Sequence, residues 1–214
     1  MYKRQAYDAE ARLARIRRSH DGLVLGFLQT ELGREALRAG RPDEAEQAFQ
    51  AALSLDRRVF PAHLEIAQLW LDRDPRRAAA VLETAITAVP ERAYLAFDLL
   101  RRAYAAAGEP SRFGALCERL LAQDPHDWRA RLALARQLRD DARADEAHGL
   151  LLRAVESNPH VLILHLEIWR TLRALGPLGD DGERYLATVE DAALYLDPHV
   201  CTVCRYRADG MLWR

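Results

Sequence analysis

Lysine is almost absent: of the 31 basic residues in this 214-residue chain, Lys3 is the only lysine and the rest are arginine. Cysteine is scarce too, with Cys117, Cys201 and Cys204 the full set. Three unevenly placed thiols do not make a disulfide framework, and they point to a reducing compartment. No apolar run approaches the roughly 20 residues that cross a bilayer. The most apolar stretch, "VLILHLEIW" from Val161 to Trp169, carries His165 and Glu167 inside it. The opening "MYKRQAYDAEARLARIRR" has no apolar core and does not read as a secretory signal. An excess of one charge is also missing: 31 basic against 32 acidic residues give a formal net charge of -1, with no net pull toward nucleic acid or an anionic membrane. Because arginines and acids interleave along the whole chain, they are expected to form solvated helix faces rather than a polyanion-binding surface.

Motifs of catalysis are wanting as well. There is no phosphate-binding loop, no serine-centred elbow, no pair of histidines one helical turn apart and no glycine-rich dinucleotide fingerprint. Ser19, His20 and Asp21 are contiguous rather than convergent, and with Gly22 they read as a helix end. Carboxylates are spread too evenly for any pair to be nominated as acid and base. No catalytic residue is assigned, and the chain is expected not to be an enzyme.

What the chain has is a core and a period. Hydrophobic residues at 50% and charged residues at 29% describe a folded protein. From Leu28, "LQTELGREALRAGRPDEAEQAFQAALSLD" holds two apolar-periodic stretches parted by Gly40, Arg41 and Pro42, with an acidic pair after the proline suited to a helix start. Ala45, Phe49 and Ala52 line one face of the second stretch at intervals of four and three. The same helical hairpin recurs with Ala78, Leu82 and Ala85, with Phe113, Cys117 and Leu120, and with Ala147, Leu151 and Ala154. Units close at Pro90, Pro125 and Pro159, 35 and 34 residues apart.

A small residue, a bulky one four later, a small one three after that and a closing proline together resemble the tetratricopeptide repeat. That resemblance implies an all-α, right-handed superhelical solenoid, in which stacked hairpins bury a face that one hairpin alone leaves exposed. Ala45, Ala78 and Ala147 permit close helix approach, and Phe49, Leu82 and Leu151 fill the space beside them. Ala52, Ala85, Ala154 and Cys117 complete the expected repeat core. Departures occur at Arg57, where a proline is expected, and in the third unit, where Arg101 and Phe113 replace small residues. Residues 23–159 are assigned to the repeat array and 160–197 to a degenerate capping repeat, with helix resuming from about Glu183 to Leu194 after "GPLGDDGERY". Residues 1–22 are a partial helix or flank. The first helices are expected to line the recognition side.

Several side chains read as packing groups. His63 and His165 occupy comparable first-helix positions and are expected to be packed or partly exposed solenoid histidines rather than ligand-binding groups of the groove. Cys117 stands where other repeats place Phe49, Leu82 and Leu151, so it is expected to act as a small buried hydrophobe. Trp70, Trp128 and Trp169 belong to repeat helices or their starts, and core or inter-repeat packing is their expected role rather than an exposed hot spot.

The tail, "HVCTVCRYRADGMLWR", is different. Cys201 and Cys204, at C-x2-C spacing, suit one knuckle of a metal site, a redox-active dithiol or a chance pairing. Tyr206, Leu212 and Trp213 around them look like the first half of a rubredoxin-type ribbon over residues 198–214. A repeat array followed by such a ribbon resembles the lipopolysaccharide assembly protein B family of Gram-negative bacteria. Cys201 and Cys204 match that family's first ligand pair, Trp213 and Arg214 match the run-up to its second pair, and Arg205 departs from a commonly found glycine.

The resemblance implies zinc, or iron by rubredoxin-like ligation, in a full-length protein of which this chain is expected to be a fragment cut at both ends. It also implies a non-enzymatic adaptor on the cytoplasmic side of the inner membrane that couples the deacetylase of lipid A synthesis to a membrane-bound AAA protease. Membrane contact would come only through a preceding segment or through partners. The alternatives are a generic repeat scaffold for an unrelated protein and a thiol oxidoreductase using Cys201 and Cys204.

Overall fold

The computed structural model describes residues 22–180, 182–184, 186–187, 199–200 and 207–208. Nine α-helices have both ends among them: α1 Gly22–Arg38, α2 Pro42–Leu55, α3 Phe60–Trp70, α4 Pro75–Ala88, α5 Phe97–Ala106, α6 Ser111–Gln123, α7 Trp128–Asp140, α8 Ala144–Ser157 and α9 Leu162–Leu175. A 3-10 helix, Pro90–Ala96, precedes α5. The chain divides into two compact units, residues 1–112 and 113–214.

In the first unit successive helices pack on one another, and each first helix also meets the next, α1 with α3 and α3 with α5. Local chemistry sets the helix starts. Pro42 and Pro75 occupy first-turn positions, where a missing N–H costs nothing, and Asp74 caps α4 by accepting from the Arg77 N–H at 3.0 Å. Gly40 ends the first hairpin's first helix at φ 71°. Its N–H donates to the Leu37 carbonyl and the Arg41 N–H to the Ala36 carbonyl, each at 2.9 Å, so two terminal carbonyls are satisfied. Phe49, Ala45, Ala52, Val59, Ala62 and Ile66 form the buried centre. Gly33 lets the Phe49 ring lie directly on the α1 backbone: a Cβ there would come within 2.7 Å of Cδ1 and 2.9 Å of Cζ.

The unit boundary falls between Arg112 and Phe113, inside the third hairpin rather than between repeats. This is the repeat in which Arg101 and Phe113 stand where small residues let helices approach. Phe113 is buried and Arg101 is exposed enough to pair with Asp98 at 3.7 Å. The 3-10 turn ahead of α5 was not expected from the periodicity.

In the second unit α7 packs on α8, α8 on α9, and α7 also on α9. Asp127 caps α7, accepting from the N–H groups of Arg129 at 2.9 Å and Ala130 at 3.1 Å. The α7–α8 turn repeats the two-bond pattern of Gly40, but the left-handed position is Ala142, at φ 60°. Helical residues occur again at 179–180, 182–184 and 186–187, so helix in the capping repeat begins earlier than Glu183. Leu186 is buried and Ala187 exposed. Two short strands, β1 His199–Val200 and β2 Arg207–Ala208, pair antiparallel with His199 opposite Ala208.

Candidate interaction surface

One tether recurs at the start of the first helices. His63 Nε2 lies 2.9 Å from the Arg57 carbonyl, His165 Nε2 lies 2.8 Å from the Pro159 carbonyl, and Arg131 Nη2 donates to the Pro125 carbonyl. Each side chain reaches back six residues to the position where the repeat places its closing proline. A carbonyl only accepts, so each histidine carries its proton on Nε2. His63 is buried, and among the described residues its Nδ1 has no hydrogen-bond partner. Burial pushes the His63 pKa below the usual histidine value, partly opposed by the bond to Arg57. Both histidines thus act as backbone anchors. Arg131 takes the same role through a different chemistry, which no apolar pattern reveals.

A second arrangement links neighbouring repeats in the first unit. Trp70 on α3 donates its indole N–H to Glu46 on α2 at 3.1 Å, while Arg77 on α4 lies 3.5 Å over the Trp70 ring and donates to the same Glu46 oxygen at 3.1 Å. One repeat later the Tyr104 hydroxyl donates to Glu83, Arg112 lies 4.9 Å from the Tyr104 ring, and Arg112 pairs with Glu83 at 2.7 Å. The expectation of inter-repeat packing thus has a polar component at Trp70.

First helices are joined by a third periodic contact. Arg34 on α1 reaches Glu65 on α3 at 2.7 Å, and Arg136 on α7 reaches Glu167 on α9 at 2.8 Å, both across 31 residues. The two rungs differ in charge balance. Arg34 is shared between two carboxylates, Glu65 and Glu31, the latter at 2.6 Å. Glu167 is shared among three guanidiniums: Arg136 and Arg170 on one oxygen at 2.8 and 2.9 Å, and Arg139 on the other. Glu167 is only 1% exposed. Burial alone would raise its pKa, but Arg136 and Arg139 outweigh that and hold it below the usual carboxylate range. A glutamate inside "VLILHLEIW", two residues after a tethering histidine just as Glu65 follows His63, was the available signal for this site.

Ala45, Phe49, Ala52, Ala78, Leu82, Ala85, Cys117, Ala147, Leu151 and Ala154 are all buried. Desolvation pushes the Cys117 thiol up to about 12, with Asp127 and Glu118 adding to it, so the group is held as an unreactive thiol. Trp128 is half-buried beside Arg129, whose guanidinium lies 4.6 Å from its ring. Cys201 and Cys204 lie outside the described residues, in the segment joining β1 to β2. Two thiolates from one knuckle suit zinc as half of a tetrahedral set. Among the described residues no group of three or more His, Cys, Asp or Glu side chains is placed to hold a metal, and no helix is long and apolar enough to cross a membrane.

No protein-family model matches the sequence, and comparison with curated proteins gave no match. Solved structures do resemble it. The MamA protein of Desulfovibrio magneticus RS-1 aligns at a TM-score of 0.50 and 16% identity, over 80% of this chain and 97% of that one. A double mutant of RS-1 MamA aligns at 0.50 and 16%, over 78% and 96%. YrrB, described as a TPR protein with an unusual peptide-binding site, aligns at 0.49 and 16%, over 86% and 94%. The fold is of the tetratricopeptide-solenoid class. At this identity the likeness concerns the fold, and the residues that distinguish this chain are the ones described above.

Proposed function

We propose that the chain is a non-enzymatic protein-interaction adaptor that regulates lipopolysaccharide synthesis, coupling the lipid A deacetylase to a membrane-bound AAA protease. The tetratricopeptide fold class supports the coarser part: within each unit, packed first helices set side chains of neighbouring repeats beside one another, a surface suited to a protein segment. The first-helix ladder carries that part, because its polar side chains are held at repeating positions before any partner arrives. The finer part rests on the tail, where Cys201, Cys204, Trp213 and Arg214 match the lipopolysaccharide assembly protein B pattern. In this reading Cys201 and Cys204 supply two thiolates to a zinc site, or to an iron site of rubredoxin type, and the metal would tie the ribbon together rather than perform chemistry. The protein would work on the cytoplasmic side of the inner membrane, held there by a preceding segment or by its partners.

The test is affinity capture from cells expressing the tagged protein at native level, with deacetylase abundance followed after depletion. Recovery of both the protease and the deacetylase, with deacetylase accumulating on depletion, is the expected result. Recovery of unrelated proteins with unchanged deacetylase would leave a generic scaffold and remove the lipopolysaccharide role.

A further inference from the structure

We infer that the segment ahead of α1 docks on α1 through Leu13 and Ile16, covering Leu28 and Val24 as the second helix of a preceding hairpin would. The docking concerns the chain itself and stands whichever partner the adaptor takes.

One position of the repeat behaves differently at the start of the array. The residues 34, 68, 102 and 136 places after Leu28 are Ala62, Ala96, Ala130 and Leu164, and all four are 0% exposed. Leu28 itself is 41% exposed. The elements carrying Ala62, Ala96 and Leu164 each pack on the second helix before them: α3 on α2, the 3-10 turn on α4 and α9 on α8. Ala62 accordingly shares a buried cluster with Ala52 of α2. Among the described residues no helix precedes α1. Val24, one turn before Leu28, is 43% exposed, where the later repeats place Arg58, Arg92, His126 and His160, all exposed. Among the described residues Val24 and Leu28 are the only exposed large hydrophobics one helical turn apart.

The chain itself supplies an occupant. Residues 1–21 fall outside the described residues and join α1 directly. Their sequence sets Tyr2, Ala6, Ala9, Leu13 and Ile16 at intervals of four, three, four and three, one apolar stripe in helical register. Ala9, Leu13 and Ile16 repeat the spacing of Ala45, Phe49 and Ala52, the buried face of α2. Ser19, His20, Asp21 and Gly22 read as the turn between the two stretches. Counted from His20, Ile16 and Val24 each stand four residues away, Leu13 seven and Leu28 eight, so a chain reversal there brings the two pairs level. Helical side chains lean toward the N-terminus of their own helix, so in this antiparallel arrangement Arg12 and Glu31 lean toward each other. Glu31 bonds Arg34, yet 56% of its side chain stays exposed. A tethered segment also meets α1 at a higher effective concentration than a separate chain does.

The test uses the full 214-residue chain carrying Cys201→Ser and Cys204→Ser, Cys117 being buried. A short bismaleimide should link Leu13→Cys to Leu28→Cys within one chain. Leu13→Cys paired with Thr84→Cys, exposed on α4, should stay unlinked. Absence of the first link, equal yield in the two pairs, or a link that joins two chains overturns the assignment, the last by giving the face to a second copy. Should the cysteine variants fail to fold, amide hydrogen exchange in otherwise unaltered protein decides. Leu13→Asp should speed exchange at residues 23–30 about tenfold, by freeing the start of α1 to open. Ala11→Asp, off the stripe, should leave that exchange unchanged. Equal effects of the two substitutions, or no effect of either, overturn the docking.

Discussion

Trp70 on α3 and Glu46 on α2 are joined by an indole N–H to carboxylate bond of 3.1 Å, beneath an arginine, Arg77, that contacts both. Tyr104, Glu83 and Arg112 repeat the arrangement one hairpin along, with a phenol in place of the indole. In each case an arginine of the ring's own repeat lies by the ring while a glutamate of the repeat before holds its polar edge. The cluster therefore opposes sliding of one hairpin on the next as well as their separation.

A double-mutant cycle on Trp70→Phe and Glu46→Gln should give a coupling energy of about 1 kcal/mol by denaturant unfolding, in the range of a hydrogen bond to a charged group partly exposed to water. Strict additivity of the two substitutions would show that the bond contributes nothing to repeat coupling.

Gly33→Ala should destabilise the first unit by about 1–3 kcal/mol, because the added methyl meets the buried Phe49 ring and the core overpacks. Gly114→Ala is the contrasting case. Its added methyl meets only Leu134 Cδ1 at 3.8 Å, an ordinary contact, so the gain in helix propensity should stabilise by about 0.5–1 kcal/mol. Thermal melts of the two variants should move in opposite directions.

Ala142→Gly should stabilise the protein by up to about 1 kcal/mol. Ala142 holds φ 60° in the turn that Gly40 and Gly108 make at 71° and 77°, and a Cβ is disfavoured in that conformation. Gly40→Ala should lose a comparable amount. An unchanged or lower midpoint for Ala142→Gly in urea would contradict the account.

His63 should make stability fall as pH drops. Its folded pKa is depressed, chiefly by burial, so below the ordinary histidine value near 6.5 the unfolded chain binds a proton that the folded chain resists. Its penalty is absent well above pH 6.5 and grows as pH falls from there toward the depressed folded value. His63→Gln keeps a donor for the Arg57 carbonyl and removes the titration. Its unfolding free energy, plotted against pH, should be flatter than that of the wild type between about 6.5 and 5, and parallel curves would exclude the effect.

Zinc should protect two thiols and no third. Cys117 is buried and its thiol is held protonated, so it should react with a thiol reagent only on unfolding. Cys201 and Cys204 should react in the native protein and be slowed together by added zinc, an effect that Cys204→Ser should abolish. A native Cys117 reacting as fast as the other two, or no effect of zinc on any thiol, would count against the assignments of those residues.

The sequence by itself determined the fold class. A period near 34 residues, with Ala45 and Phe49 reappearing as Ala78 and Leu82 and as Ala147 and Leu151, leaves stacked hairpins as the economical way to bury such faces. Departures from the period were legible as well: Arg101 and Phe113 mark the repeat at which the chain divides into two units. Tertiary structure alone decided the polar contacts, since whether arginine and glutamate 31 residues apart meet depends on how far one hairpin turns against the next. The same spacing gave a rung at Arg34–Glu65 in which one guanidinium meets two carboxylates, and one at Arg136–Glu167 in which three guanidiniums meet one carboxylate. Apolar periodicity reports which face is buried, a property each helix carries within itself. Charge balance at a point depends on side chains from several helices converging there, and that convergence exists only once the hairpins have stacked.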